Sequence, residues 1–200
     1  MIAIIDYGAG NIFSVKNALD YLGVENKLTA DRNEICAADE IILPGVGAFP
    51  WAMKMLRDSG LVDTIREEAK KKPFLGICLG MQLIFDKGYE FEETDGLRLI
   101  GGKVEKIDRK DMIIPHMGWN ELEINRDCPI LKGLPEHPYV YFVHSYAAVC
   151  DDANVSAYCD YGGKITALVH DGAYVYGAQF HPEKSGEVGL RMLRNFAELA

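Results

Sequence analysis

Of the five cysteines in this chain, one stands in a setting that suits a nucleophile. Cys78 lies in F-L-G-I-C-L-G-M-Q, residues 74–82. An apolar strand read over Phe74 to Ile77 runs through Gly76-x-Cys78-x-Gly80 into a helix read over Leu79 to Asp86. This has the form of the nucleophile elbow G-x-S-x-G, with cysteine in place of serine. The turn is sharp, so the residues two before and two after the nucleophile must be small. Its side chain stands above the sheet at a helix N-terminus, a position that favours a thiolate. For an arbitrary cysteine, a buried core role is the commoner one. Here the strand, the paired glycines and the helix agree on the elbow.

A nucleophilic thiol needs a base, and the base needs an orienter. Five histidines compete: His116, His137, His144, His170 and His181. The segment Q-F-H-P-E-K-S, residues 179–185, is the best placed, because it follows an apolar strand read over Tyr174 to Phe180. In H-P-E, Glu183 sits two residues after His181. An extended i, i+2 pair points the same way, and the proline stiffens the link. Glu183 then holds the imidazole tautomer and stabilises the imidazolium, as the third triad member does in other hydrolases. Alone, H-P-E reads equally well as a surface turn; beside the elbow it reads as base and orienter.

Acyl transfer also needs an oxyanion hole. The backbone N–H of Leu79 is one expected donor. A second fits P-G-V-G, residues 44–47, where glycines let the backbone approach a ligand or reorient. An ordinary Pro-Gly turn fits the same residues, and spacing does not decide between them. Other features carry less. G-A-G-N-I-F, from Gly8 to Phe13, begins like a dinucleotide loop but lacks the third glycine. Cys150 and Cys159 have no zinc-type spacing. Lys70 to Lys72 reads as a solvated helix end. Tyr139, Tyr141, Phe142 and Tyr146 read as an aromatic strand, with a pocket-lining tyrosine as the alternative. No metal and no cofactor is expected.

These residues need a scaffold, and the first half of the chain alternates strand and helix. Ile2 to Asp6, Val24 to Thr29, Glu40 to Leu43 and Phe74 to Ile77 read as strands. Asn11 to Leu22 reads as a helix closed by Gly23. Phe49 to Lys72 reads as mostly helical with a break at Ser59-Gly60. This order predicts an α/β fold: an open, mostly parallel sheet with helices on both faces. From Leu99 to about Gly177, short strands and turn signals predict an antiparallel extension packed beside that sheet. A last helix is read over Gly186 to Leu199. No repeat or linker interrupts residues 1–200, so a single domain is expected.

Composition bounds the rest. With 200 residues, 48% hydrophobic and 26% charged, the chain has the balance of an ordinary globular domain. A net charge of −9 argues against a general nucleic-acid binder and against an anionic membrane surface. No apolar run approaches the roughly 20 residues that span a bilayer. M-I-A-I-I-D-Y-G-A-G-N lacks the basic and small-residue marks of a signal peptide. Five unpatterned cysteines fit reduced thiols in the cytoplasm.

The combination P-G-V-G, G-I-C-L-G-M-Q, Y-F-V-H-S-Y and H-P-E-K-S resembles the triad-type (class I) glutamine amidotransferase family, whose fold is flavodoxin-like. I-D-Y-G-A-G-N, I-P-H-M-G-W-N at 114–120 and G-M-Q in place of G-H-Q are similar to one branch of it, the glutaminase subunits that serve imidazole glycerol phosphate synthesis in histidine biosynthesis. The resemblance runs from Ile5 to Ser185 with no departure at the triad. It implies that Cys78 attacks the carboxamide of L-glutamine, that His181 shuttles protons, and that ammonia passes to a separate barrel-fold cyclase subunit in a heterodimer. It implies glutamine binding at Gly45, Gln82, Ser145 and Tyr146, oxyanion donors at Leu79, Val46 and Gly47, and a partner interface near Asn11, Tyr141 and Lys184. A glutaminase feeding a purine, anthranilate or folate enzyme, a stand-alone cysteine hydrolase, and a binding module with an inert elbow remain as rival readings.

Overall fold

A computed structural model describes residues 1–9 and 11–200. Gly10, within the Gly8-to-Phe13 loop reading, lies outside the described residues. In the first half, strands β1 (Ile2–Ile5), β2 (Asn26–Thr29), β3 (Glu40–Gly45) and β4 (Phe74–Cys78) alternate with helices α1 (Ile12–Tyr21), α2 (Arg32–Ala37), α3 (Phe49–Asp58), α4 (Val62–Glu68) and α5 (Leu79–Leu83). The second half holds β5 (Lys87–Gly88), β6 (Thr94–Asp95), β7 (Gly102–Lys106), β8 (His116–Glu121) and β9 (Glu123–Ile124). It continues with β10 (Tyr139–His144), β11 (Tyr146–Cys150), β12 (Val155–Asp160), β13 (Lys164–His170), β14 (Val175–Ala178) and α6 (Gly186–Ala197).

The main sheet has the order β2-β1-β3-β4-β14-β13-β12-β9. β2, β1, β3, β4 and β14 run parallel. This is the 2-1-3-4-5 order of flavodoxin-like sheets, with β14 as its fifth parallel strand. β13, β12 and β9 then extend it antiparallel. The expected extension is therefore partly the main sheet itself. The remainder forms a β8–β10 ribbon and a four-stranded sheet in the order β11-β7-β5-β6.

Both faces of the parallel region are covered, which explains its near-continuous apolar strands. Side chains alternate across a strand. Ile2, Ile4, Ile42, Leu75 and Ile77 join α1 and α6 in one core cluster. Ile5, Ile41, Leu43 and Phe74 join α2 to α5 in the other. On α6, Gly189, Met192, Leu193 and Phe196 are buried at helical spacing. The predicted helix stops hold: Gly23 and Gly60 follow α1 and α3 with φ of +71° and +72°. Among the described residues, no helix is long and apolar enough to cross a membrane.

Candidate active site

The carboxyl ends of β3, β4 and β14 converge on one side of the sheet, where open α/β sheets place their ligands. Cys78 ends β4 and caps α5 with φ +54° and ψ −111°. A non-glycine residue held there stores of order 1–3 kcal/mol of strain. Its neighbours explain how the turn is held. A Cβ on Gly76 would lie 2.6 Å from the Gly80 oxygen, and one on Gly80 would lie 1.9 Å from the Leu43 oxygen. Both glycines of the elbow are thus required by the packing, as the sequence pattern predicts.

His181 follows β14 and is almost fully buried. Its backbone N–H donates to the Tyr141 carbonyl at 2.9 Å. Its Nδ1 lies 2.7 Å from Glu183 Oε1, and both side chains are shielded from solvent. The pair meets by a different local route from the extended one expected. Pro182–Lys184 forms a single 3-10 turn, because proline at its first position fixes φ and the Lys184 N–H closes onto the His181 carbonyl. Ser185 secures this turn: its Oγ donates to the His181 carbonyl at 2.6 Å and accepts from Tyr141 N–H at 3.0 Å.

Burial alone would lower the His181 pKa. The Cys78 side chain and the Glu183 carboxylate outweigh it and raise the imidazole to about 9. Nε2 of His181 is buried and has no hydrogen-bond partner among the described residues. With Nδ1 committed to Glu183, Nε2 is the atom left for proton exchange.

Cys78 and His181 line one cavity of about 410 Å³ together with Val46, Gly47, Leu79, Gln82, Ser145 and Tyr146. That volume lies in the range of small-molecule sites. A larger open groove of about 1350 Å³ runs beside α3 around Trp51 and holds none of the candidate residues. Glu183 stands behind His181, outside the cavity lining. Gly45 also lies behind the cavity, paired in register with Cys78. A Cβ there would meet the Gly80 nitrogen at 2.8 Å, so its smallness serves the elbow.

Gln82 is 5% exposed and donates from Nε2 to the Tyr146 carbonyl at 3.0 Å. That carbonyl also accepts from His144 Nδ1 at 2.8 Å, while the Ser145 carbonyl accepts from Ile107 N–H at 2.9 Å. Burial pushes His144 down to about 4, so it is a neutral donor in this network. Lys184 is exposed and Tyr141 half-buried, its ring edge-on to Trp119 at 6.1 Å. The turn carrying Lys184 packs against both α1, which starts after Asn11, and β10. The three expected interface residues therefore belong to elements that meet beside the cavity.

Sequence reasoning missed several residues here. Glu90 lines the cavity, and its Oε2 accepts from the Phe49 N–H at 2.8 Å. It sits among Glu92, Glu93 and Asp95 and reads as one charge of a solvated loop. Pro115, Val143 and His144 also line the cavity. Gln179 is fully buried against Cys78. Only its place two residues before His181 signals it.

Residues 3–199 match the family described as "Glutamine amidotransferase class-I". The chain is 51% identical over 197 residues to the imidazole glycerol phosphate synthase subunit HisH of Bacillus cereus (strain G9842), covering 98% of this chain and 93% of that protein. It is 48% identical over 201 residues to the subunit of the same name from Listeria monocytogenes serotype 4a (strain HCC23), covering 100% and 96%. A crystal structure of a glutamine amidotransferase superposes with a TM-score of 0.77 at 23% identity, over 100% of this chain and 98% of that one. That last likeness speaks for the fold.

Proposed function

The chain belongs to the class-I glutamine amidotransferase family, and from that premise we propose that Cys78, His181 and Glu183 carry its chemistry. Its function is that of the glutaminase subunit of imidazole glycerol phosphate synthase, in histidine biosynthesis. One observation supports the residue assignment above all: the strained thiol and a buried histidine share a cavity, and that histidine is held at 2.7 Å by a carboxylate.

In this reading Cys78 Sγ attacks the side-chain carboxamide carbon of glutamine. The developing oxyanion is met by the Leu79 N–H and by the Val46-Gly47 strand end. The imidazolium of His181 gives its Nε2 proton to the departing ammonia as the tetrahedral intermediate collapses to a thioester. Neutral His181 then takes a proton from water, hydroxide adds to the thioester, and glutamate leaves. Glu183 orients the ring through Nδ1 and stabilises the imidazolium. Gln82 and the Ser145-Tyr146 backbone bind the amino acid, on a segment whose two carbonyls are engaged inside the fold.

The ammonia is useful only if it is captured. We assign the receiver as a barrel-fold cyclase subunit in a heterodimer, contacting the face around Asn11, Tyr141 and Lys184. There ammonia and phosphoribulosyl-formimino aminoimidazole carboxamide ribotide give imidazole glycerol phosphate and aminoimidazole carboxamide ribotide. A cytoplasmic location goes with that role. The test is glutamine hydrolysis with and without the cyclase. Low basal turnover and strong stimulation are expected; vigorous peptide cleavage by the chain alone would overturn the reading. Cys78→Ala should abolish glutamine-dependent synthesis while ammonia-dependent synthesis by the complex survives.

A further inference from the structure

We propose that Gln179 is a positioning residue that orients both the nucleophile and the glutamine-binding side chain Gln82. The proposal rests on the glutaminase reading above. Gln179 follows β14 directly and is wholly buried, with its backbone N–H donating to the Ala167 carbonyl at 2.9 Å. Its side-chain amide bridges two groups. Nε2 lies 3.9 Å from Cys78 Sγ, and Oε1 lies 3.0 Å from Gln82 Nε2.

The direction of this chain of bonds is fixed by a backbone atom. Amide oxygen and nitrogen are told apart by their partners. The Tyr146 carbonyl can only accept, so the Gln82 atom 3.0 Å from it must be nitrogen. That same nitrogen faces Gln179 and needs an acceptor, so the nearer Gln179 atom must be oxygen. The remaining Gln179 atom, the one against Cys78, is then nitrogen. Reversing Gln82 would set its oxygen against the Tyr146 and Gln179 oxygens, and reversing Gln179 would set one N–H donor against another, each inside a buried network.

Two consequences follow for the reaction. An N–H aimed at sulfur favours the thiolate over the thiol. Both Gln82 N–H groups are also committed inward, to Tyr146 and Gln179. This leaves Gln82 Oε1 without a partner among the described residues, on a side chain that lines the cavity. It is an acceptor ready for an N–H of the bound amino acid. Gln179 touches no cavity space itself and acts through its two neighbours.

The two functions of Gln179 separate in two near-isosteric variants. Gln179→Glu keeps an acceptor for Gln82 but replaces the donor to sulfur with a group that competes for the same proton. Gln179→Met removes both. The first readout is the pH midpoint of Cys78 alkylation by iodoacetamide in the full chain, which needs neither glutamine nor a partner. The midpoint should rise by about one pH unit in Gln179→Glu, or roughly tenfold slower alkylation below it, and by less in Gln179→Met. The second readout is glutaminase kinetics with the cyclase present. Gln179→Met should raise KM for glutamine about tenfold, whereas Gln179→Glu should lower kcat with KM near that of the unaltered chain. A role in packing alone would reduce folded protein without moving the midpoint or splitting kcat from KM.

Folded variants that keep the original midpoint and KM would overturn the proposal. If neither variant folds, the unaltered chain decides. Its Gln179 side-chain N–H resonance should follow the titration of Cys78, and a resonance indifferent to that titration would equally overturn it. Absence of glutamine turnover in the unaltered complex would sink the glutaminase reading, and the alkylation and resonance measurements would still judge Gln179.

Discussion

At the end of β4, a Cβ on Gly80 would stand 1.9 Å from the Leu43 oxygen; at the end of β3, a Cβ on Gly47 would meet nothing within 4 Å among the described residues. The two strand ends are neighbours and line the same cavity. One is packed tightly against backbone at its glycines and holds a strained cysteine. The other is solvent-exposed, and Gly47 adopts φ +102° in open space. In the proposed chemistry they hold the nucleophile and one oxyanion donor. The difference teaches that the thiol is fixed by the fold itself, while the backbone opposite it is free to turn. In the proposed heterodimer this division suits activation by the partner: attack geometry stands ready and transition-state stabilisation is the adjustable part.

The comparison is open to attack at several points. The largest expected effect lies on the fixed side. Glu183→Gln keeps the shape of the His181 mount but loses its charge, so glutaminase kcat with the cyclase should fall by about a thousandfold or more. A loss below tenfold would show that the mount is not what activates the thiol. Next comes Gly80→Ala, where backbone meets the new methyl and no side chain can yield. Chemical denaturation should show a loss of about 3 kcal/mol or more. Gly47→Ala should cost only about 1 kcal/mol, from its positive φ alone. If Gly47→Ala destabilises the chain as much as Gly80→Ala, the contrast between the strand ends fails.

An effect of similar size to that of Gly47→Ala concerns pH. His181 is raised in the folded chain to about 9, above its ordinary 6.5. Its contribution to stability is therefore complete below pH 6.5 and is lost as pH rises through about 9. Urea midpoints across that window should give a decline of order 1–2 kcal/mol that is absent in His181→Gln. An equal decline in both chains would remove the histidine from the account.

The parts of the site that were legible in sequence are contiguous in the chain. The elbow spans nine residues in a row, and its glycines, strand and helix all serve one turn. His181 and Glu183 are two apart, although the local geometry that joins them is a 3-10 turn closed by Ser185 and Tyr141 rather than an extended pair. Glu90, His144 and Gln179 reach the site through long-range packing, and the only local mark among them is the place of Gln179 two residues before His181. α2 was missed for its length: six residues show no clear period, although Asp31 caps it by accepting from the Asn33 and Glu34 N–H groups. The division of the second half among three sheets was hidden for a related reason. Strands of two to seven residues choose partners by long-range contacts.

The contact beneath the triad has a bearing on time as well as space. A Cβ on Gly189 would lie 1.9 Å from the Pro182 oxygen, so α6 presses directly on the turn that carries His181 and Glu183. β14, which leads into that turn, inserts between β4 and β13. On the ribosome, Cys78 therefore emerges long before β14, the proposed base His181 and the helix that seats its turn. A chain that ends before His181 carries the thiol without its proposed base. In the proposed chemistry, the order of synthesis delivers the nucleophile first and its base last.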